Sequence, residues 1–143
     1  MKTRRGSVLT LAAVLLAGWV AASAGVGGVV EAEVARLAPT DWELDGDLDS
    51  GLMVYKQYCQ KCHGKRGNGQ GLMAKDLEPK PSDFTDGSSM HKRSDWEIYL
   101  GIKEGGPPVG LSSQMTAWED TLMEEEMHDV AVFIRSFAPK DGE

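Results

Sequence analysis

The stretch Cys59-Gln60-Lys61-Cys62-His63 holds both cysteines of the chain and governs how the rest is read. Cys-x-x-Cys-His is the attachment pattern of a c-type haem, in which two thiols become thioethers to the haem vinyl groups and the next residue ligates the iron. Helical geometry explains the spacing. Side chains at i and i+3 share one face of a turn, and a histidine at i+4 projects from that same face. Cys59 and Cys62 are therefore expected to tether one haem c covalently, with His63 as the proximal axial ligand. Three rival readings fit less well. A disulfide of the thioredoxin kind wants a surrounding βαβ pattern, which the flanking sequence lacks. A zinc site wants a fourth ligand, and no second Cys-x-x-Cys or paired histidine follows at a usable spacing. Two unpaired surface thiols would be an odd burden for an exported chain.

Export is indicated by the first residues. Lys2, Arg4 and Arg5 precede an uncharged apolar run from Val8 to Val20, and Ala22, Ser23 and Ala24 form a small-residue cleavage pattern. A secretory signal peptide over residues 1–24 and a periplasmic destination follow. The uncharged tract continues to Val30, so Ser7–Val30 is long enough to span a bilayer as an uncleaved anchor. The glycines after Ala24 make a poor membrane helix and favour cleavage. Arg4 and Arg5 hint at twin-arginine export, but that route suits folded cargo, whereas a haem attached after translocation requires an unfolded passage. Without residues 1–24 the chain keeps 119 of its 143 residues, enough for one domain, with 12 basic against 22 acidic side chains. This net charge of −10 argues against nucleic acid or anionic lipid as targets and steers toward redox proteins with cationic docking surfaces. A membrane is a partner only if the N-terminal segment is retained.

Residues 25–48 read as an acidic leader that becomes ordered near Trp42, and residues 49–143 as the folded domain. The first helix is predicted from Ser50 to His63, with Leu52, Tyr55, Cys59 and Cys62 on one apolar stripe and Gly64 as a left-handed stop. Residues 65–71, KRGNGQG, lack the phosphate-cradle spacing and read as a flexible loop. Leu72–Leu77 forms a short turn ended by Pro79 and Pro81, near which a rigid backbone carbonyl could accept the proximal histidine's ring N–H. Ser94–Glu97 is a capping box that opens a helix to about Glu104, with Trp96, Tyr99 and Ile102 as packing residues. Gly105, Gly106, Pro107 and Pro108 stop it. The last helix is predicted from Met123 to Ala138 on the stripe Met123, Met127, Val130, Ile134 and Phe137. No useful strand alternation occurs, so the fold should be all-α.

A haem iron held by one histidine has an opposite face to fill, and seven side chains are candidates: Met73, Met90, His91, Met115, Met123, Met127 and His128. Met115 suits best, because it lies 52 residues after His63 in an irregular stretch between two helices. Met123 and Met127 sit on a helical stripe and read as core, while His91 and His128 read as solvated.

From Ser50 to Phe137 the chain resembles a class I monohaem cytochrome c of the bacterial periplasmic type. The resemblance rests on Cys59–His63, on LEPKPSDFTD at residues 77–86, and on MTAWEDTLMEEEMHDVAVFIRSF from Met115 to Phe137. It implies the cytochrome c fold, with three to five helices around one haem. It also implies Met115 as distal ligand, Trp118 beside the haem, and Phe133 against Gly51 and Tyr55 where the terminal helices cross. Three positions depart from the pattern. Thr116 replaces the usual proline, His128 a frequent aromatic, and Met123 the usual helix cap, for which Thr121 with Glu124 offers a substitute. The expected function is one-electron transfer between redox partners rather than catalysis. The alternatives are a haem subunit of an oxidoreductase complex and a five-coordinate peroxidase or gas sensor.

Overall fold

Asp47 opens the first helical run. Its carboxylate accepts from the Ser50 amide at 2.8 Å, which satisfies one unpaired donor of the helix start, and Asp49 adds negative charge to the first turn. In the computed structural model, which describes residues 37–138, the run passes from α1 (Leu48–Val54) through a π-turn (Tyr55–Cys59) into α2 (Gln60–His63). The helix thus starts at Leu48, two residues before the predicted Ser50, because Asp47 caps it. The buried stripe also differs from the predicted one. Val54 and Tyr55 are buried, whereas Leu52 is only half-buried. Gly64 ends the run at φ 84° and ψ 153°, a region open essentially to glycine alone. The expected signal peptide, the alternative anchor and the first part of the leader lie outside the described residues.

Three further α-helical segments follow: α3 (Gly87–Met90), α4 (Asp95–Lys103) and α5 (Glu124–Arg135), with 3-10 turns at Ala74–Asp76 and Pro107–Val109. The Ser94 box forms in both directions, the Glu97 amide donating to the Ser94 hydroxyl at 3.2 Å and the Ser94 amide to the Glu97 carboxylate at 2.9 Å. Among the described residues there is no strand, only an isolated antiparallel bridge between Asn68 and Asp83. The all-α cytochrome c fold expected from the sequence is the fold observed.

The core forms where α1 crosses α5. Gly51 lies against the Asp129 backbone so closely that a methyl group there would collide with the Asp129 carbonyl oxygen. Phe133 packs on the ring of Tyr55 at 5.2 Å, as the resemblance implied. Tyr55, Tyr99, Val130 and Ala131 are almost wholly buried beneath this crossing. Arg135 fastens the end of α5 to the α3–α4 junction, pairing with Asp95 at 2.6 Å and donating to the carbonyls of Met90 and Arg93.

Several expectations near α5 are corrected. Met123 is the cap rather than a core residue and is 67% exposed. The Glu126 carboxylate, three positions on, accepts from the Met123 amide at 2.9 Å, so the Thr121–Glu124 substitute is not used. The helix ends at Arg135, short of Ala138. His128 is half-buried instead of solvated, lying 4.7 Å from the Tyr99 ring and 5.5 Å from Trp42. Trp42 does pack on the domain, against Trp96 and Tyr99. The segment behind it is pinned by the Asp47 amide, which donates to the buried Asp129 carboxylate at 2.6 Å. No helix among the described residues is long and apolar enough to cross a membrane.

Candidate haem site

One cleft collects the residues singled out by the sequence. Cys59 comes from the π-turn, Cys62 and His63 from α2, and all three line the cleft together with Met115 and Trp118. Most of the remaining wall is apolar, including Leu77, Phe84, Ile98, Ile102 and Leu122. Both thiols are free. Burial, aided by the nearby charge of Cys62, pushes the Cys59 thiol up to about 12, far from the low values that redox-active thiolates need. Among the described residues, no group of three or more His, Cys, Asp or Glu side chains could hold a bare metal ion.

His63 is the best-positioned group of the site. Its Nδ1 lies 3.2 Å from the Ser82 carbonyl oxygen and its ring stacks on Phe84 at 4.5 Å. The expected carbonyl is therefore supplied by the residue after Pro81. Burial draws the imidazole below its ordinary value, and the Ser82 carbonyl partly offsets this. A neutral ring that donates through Nδ1 leaves Nε2 as the free lone pair, the state required of a metal ligand.

The glycine-rich loop, expected to be flexible, is a strap instead. The Gly69 amide donates to the His63 carbonyl, Gly71 to Cys62, and Phe84 back to Gly67 at 2.7 Å. Gly67 and Gly69 take positive φ, and a side chain at Gly69 would meet the Pro81 carbonyl at 2.5 Å. The loop thus holds the Pro81–Phe84 segment against His63, a role that long-range hydrogen bonds create and local composition conceals.

Met115 sits in a loop fastened by the segment read only as a helix stop. The Gly106 amide donates to the Met115 carbonyl at 3.0 Å, and the Trp118 amide to the carbonyls of Ile102 and Lys103. A Cβ at Gly105, whose φ is 85°, would lie 2.7 Å from the Met115 carbonyl. Gln114 adds a tie to the opposite segment through the Glu78 carbonyl at 2.7 Å. Of the seven candidate distal ligands, Met115 and Met90 line the cleft. Met90 is fixed at the end of α3, whereas Met115 is carried by a loop. Met73 and Met123 are exposed, His91 is exposed, Met127 is buried in the core, and His128 packs on Trp42 and Tyr99.

Residues 46–134 match the family described as cytochrome C oxidase, cbb3-type, subunit III. The chain belongs to this family. It is similar to a chain of the Kuenenia stuttgartiensis reducing HAO-like protein complex Kustc0457/Kustc0458, with 32% identity, a TM-score of 0.55, and coverage of 67% of this chain and 44% of that one. It is also similar to the KustC0563 c-type cytochrome, at 29% identity and a TM-score of 0.51 over 62% of this chain and 98% of that one. This cytochrome therefore spans less than half the length of the first relative. A c-type cytochrome domain carries covalently bound haem c, and a domain of this size suits one. The cleft fits that group. Its wall is largely apolar, two free thiols and an imidazole share it, and the buried Trp118 Nε1 lacks the acceptor that a polar haem substituent could supply.

Proposed function

We propose that this cytochrome is exported to the periplasm and carries single electrons between redox proteins, with Cys59 and Cys62 as thioether tethers and His63 and Met115 as axial ligands. The observation that carries the reading is the shared cleft of Cys59, Cys62, His63 and Met115, with His63 oriented by Ser82. Haem c supplies one-electron exchange between ferrous and ferric iron. The chain's part is to keep the geometry the same in both states. Ser82 orients the imidazole, and the Gly105–Gly106 segment steadies the loop of Met115. Apolar walls exclude water and oppose added charge, and a soft thioether donor favours the ferrous state, so both raise the reduction potential. Two protein side chains, His63 and Met115, would hold the iron and would leave it no site for a substrate. The export signal read over residues 1–24 supports the periplasmic assignment, and the net charge of −10 that remains once those residues are removed supports long-range attraction to cationic partners.

A second reading, a subunit held in a larger oxidoreductase, is favoured by one observation. The first relative belongs to a named multi-protein complex. Isolation from the exported fraction distinguishes a free carrier from a subunit that leaves only with partners. The intact mass should show one haem. Visible spectra should show the red charge-transfer band of sulfur-ligated ferric haem, lost in Met115→Ala and kept in Met90→Ala, and the ferrous protein should bind carbon monoxide poorly. Ready carbon monoxide binding would instead establish an open iron and a sensor or peroxidase role.

A further inference from the structure

The acidic charge of this molecule is not spread evenly along its described residues. Residues 37–55 carry five acidic and no basic side chains, and residues 85–138 carry ten acidic against four basic ones. Residues 56–84, which contain the haem-attachment motif, carry six basic against three acidic side chains, the acids being Asp76, Glu78 and Asp83. Within that positive segment sits an apolar exposure. Leu72 is 83% and Met73 49% exposed. Both belong to a knot tied to the motif itself, since the Met73 amide donates to the Lys61 carbonyl at 2.9 Å and the Gly71 amide to that of Cys62 at 3.1 Å. Lys80 completes the knot. Its ammonium group donates to the carbonyls of Ala74 and Lys75 at 3.1 and 3.2 Å, and the same residue lines the cleft.

We infer that Leu72 and Met73, rimmed by Lys61, Lys75 and Lys80, form the docking face of this cytochrome, and that its partner is a redox protein with an apolar centre and an acidic rim. The inference rests on the electron-transfer reading above and reverses, at the contact, the partner charge suggested by the whole chain. Screening decides between the two scales. At physiological ionic strength charges farther than about 8 Å are largely screened, so once surfaces meet, the local lysines outweigh distant carboxylates. Leu72 lies between Gly71 and Met73, whose amides bond the carbonyls of Cys62 and Lys61 in the tethering motif, so a partner seated there touches the segment that carries the thiols. An exposed leucine and methionine within a charged rim also match the construction of protein interfaces, in which an apolar centre is desolvated and the polar rim sets orientation. An anionic lipid surface would attract the same lysines. A protein is favoured because the five acids of residues 37–55 and the Glu124–Glu126 cluster would oppose approach to an extended negative plane, whereas a small partner can engage one end alone.

The test uses the full-length, haem-loaded cytochrome in stopped-flow electron exchange. Oxidation of the reduced protein by hexacyanoferrate(III) should slow as salt rises, the behaviour of an anion drawn to a positive edge, although the molecule is negative overall. Oxidation by tris(phenanthroline)cobalt(III) should show the opposite dependence. The double variant Lys61→Glu, Lys75→Glu should lower the hexacyanoferrate rate on the order of tenfold at low salt and invert its salt dependence. With plastocyanin, an acidic blue-copper protein, as acceptor, Leu72→Ser should slow transfer severalfold while leaving the hexacyanoferrate rate unchanged. A hexacyanoferrate rate that rises with salt in the unaltered protein, or plastocyanin rates indifferent to both variants, overturns the assignment. So does tight binding to phosphatidylglycerol vesicles at physiological salt that the lysine variant abolishes, which would make the face a lipid contact. Failure to exchange electrons with either small oxidant would instead defeat the electron-transfer reading itself.

Discussion

The Nδ1 atom of His63 lies 3.2 Å from the carbonyl oxygen of Ser82, and the strap that holds that carbonyl depends on Gly69. Gly69 has φ 68°, and a methyl group there would meet the Pro81 carbonyl at 2.5 Å. On the proposed ligation, Gly69→Ala weakens the Ser82 hydrogen bond and makes the imidazole a poorer donor to ferric iron, so the reduction potential should rise. The left-handed backbone alone should lower stability by about 1–2 kcal/mol. Redox titration and denaturant melts of the haem-loaded variant check both. An unchanged potential together with an unchanged midpoint would show that the strap does not govern His63.

Gly51→Ala sets two effects against each other. Alanine is the better helix former by about 1 kcal/mol, but its Cβ would collide with the Asp129 carbonyl and approach Phe133 Cβ at 2.9 Å. Backbone cannot swing aside as a flexible side chain can, so overpacking at the α1–α5 crossing should prevail by about 1–3 kcal/mol. Thermal denaturation of the haem-loaded protein measures the balance. A stabilised variant would mean that the two helices can part without loss.

Much of this architecture is legible in the sequence because it is written in local chemistry. Ser94–Glu97 declares a helix start through side chains three residues apart, and Cys59–His63 declares a haem through a spacing that only one turn satisfies. The resemblance similarly placed Phe133 on Gly51 and Tyr55. What the sequence concealed depends on contacts across the fold. The π-turn at Tyr55–Cys59 has no local signature, and the burial of Val54 in place of Leu52 is set by the helix packed across α1. His128 looked solvated on its own helix, yet Trp42 and Tyr99 arrive from elsewhere to cover it. The KRGNGQG loop shows its glycines but not the His63, Cys62 and Phe84 backbone groups that fasten it.

Asp47 gives a prediction in pH. Hydrogen bonds from the Ser50 amide and hydroxyl hold its carboxyl below the ordinary value of 3.8. A carboxylate whose folded value is depressed contributes stability above its unfolded value, and that contribution is lost as pH falls through the folded one. Asp47→Ala should therefore melt at lower temperature than the parent from about pH 7 to about pH 5, with a constant gap that narrows once the solution is more acidic than the ordinary carboxylate range. A gap that widens in acid would show that the side chain acts otherwise than as an ionised cap.

Gly105→Ala tests the loop of Met115 without touching a proposed ligand. Gly105 has φ 85°, and a Cβ there would lie 2.7 Å from the Met115 carbonyl and 3.0 Å from the Ala117 amide nitrogen. Both of those atoms belong to backbone, so relief must come from movement of the loop, and the Gly106–Met115 hydrogen bond lies directly in its way. Cys59, Cys62 and His63 belong to other elements and should keep the haem attached in its cleft. The variant should accordingly retain one haem by mass and lose part of its red charge-transfer band. Its ferrous form should bind carbon monoxide more readily than the parent, with the Met115→Ala protein as the upper limit. If the band and the carbon monoxide affinity match the parent while stability falls by the strain of about 1–2 kcal/mol, then the sulfur at the iron does not come from this loop, and Met90, the other methionine of the cleft, becomes the side chain to replace.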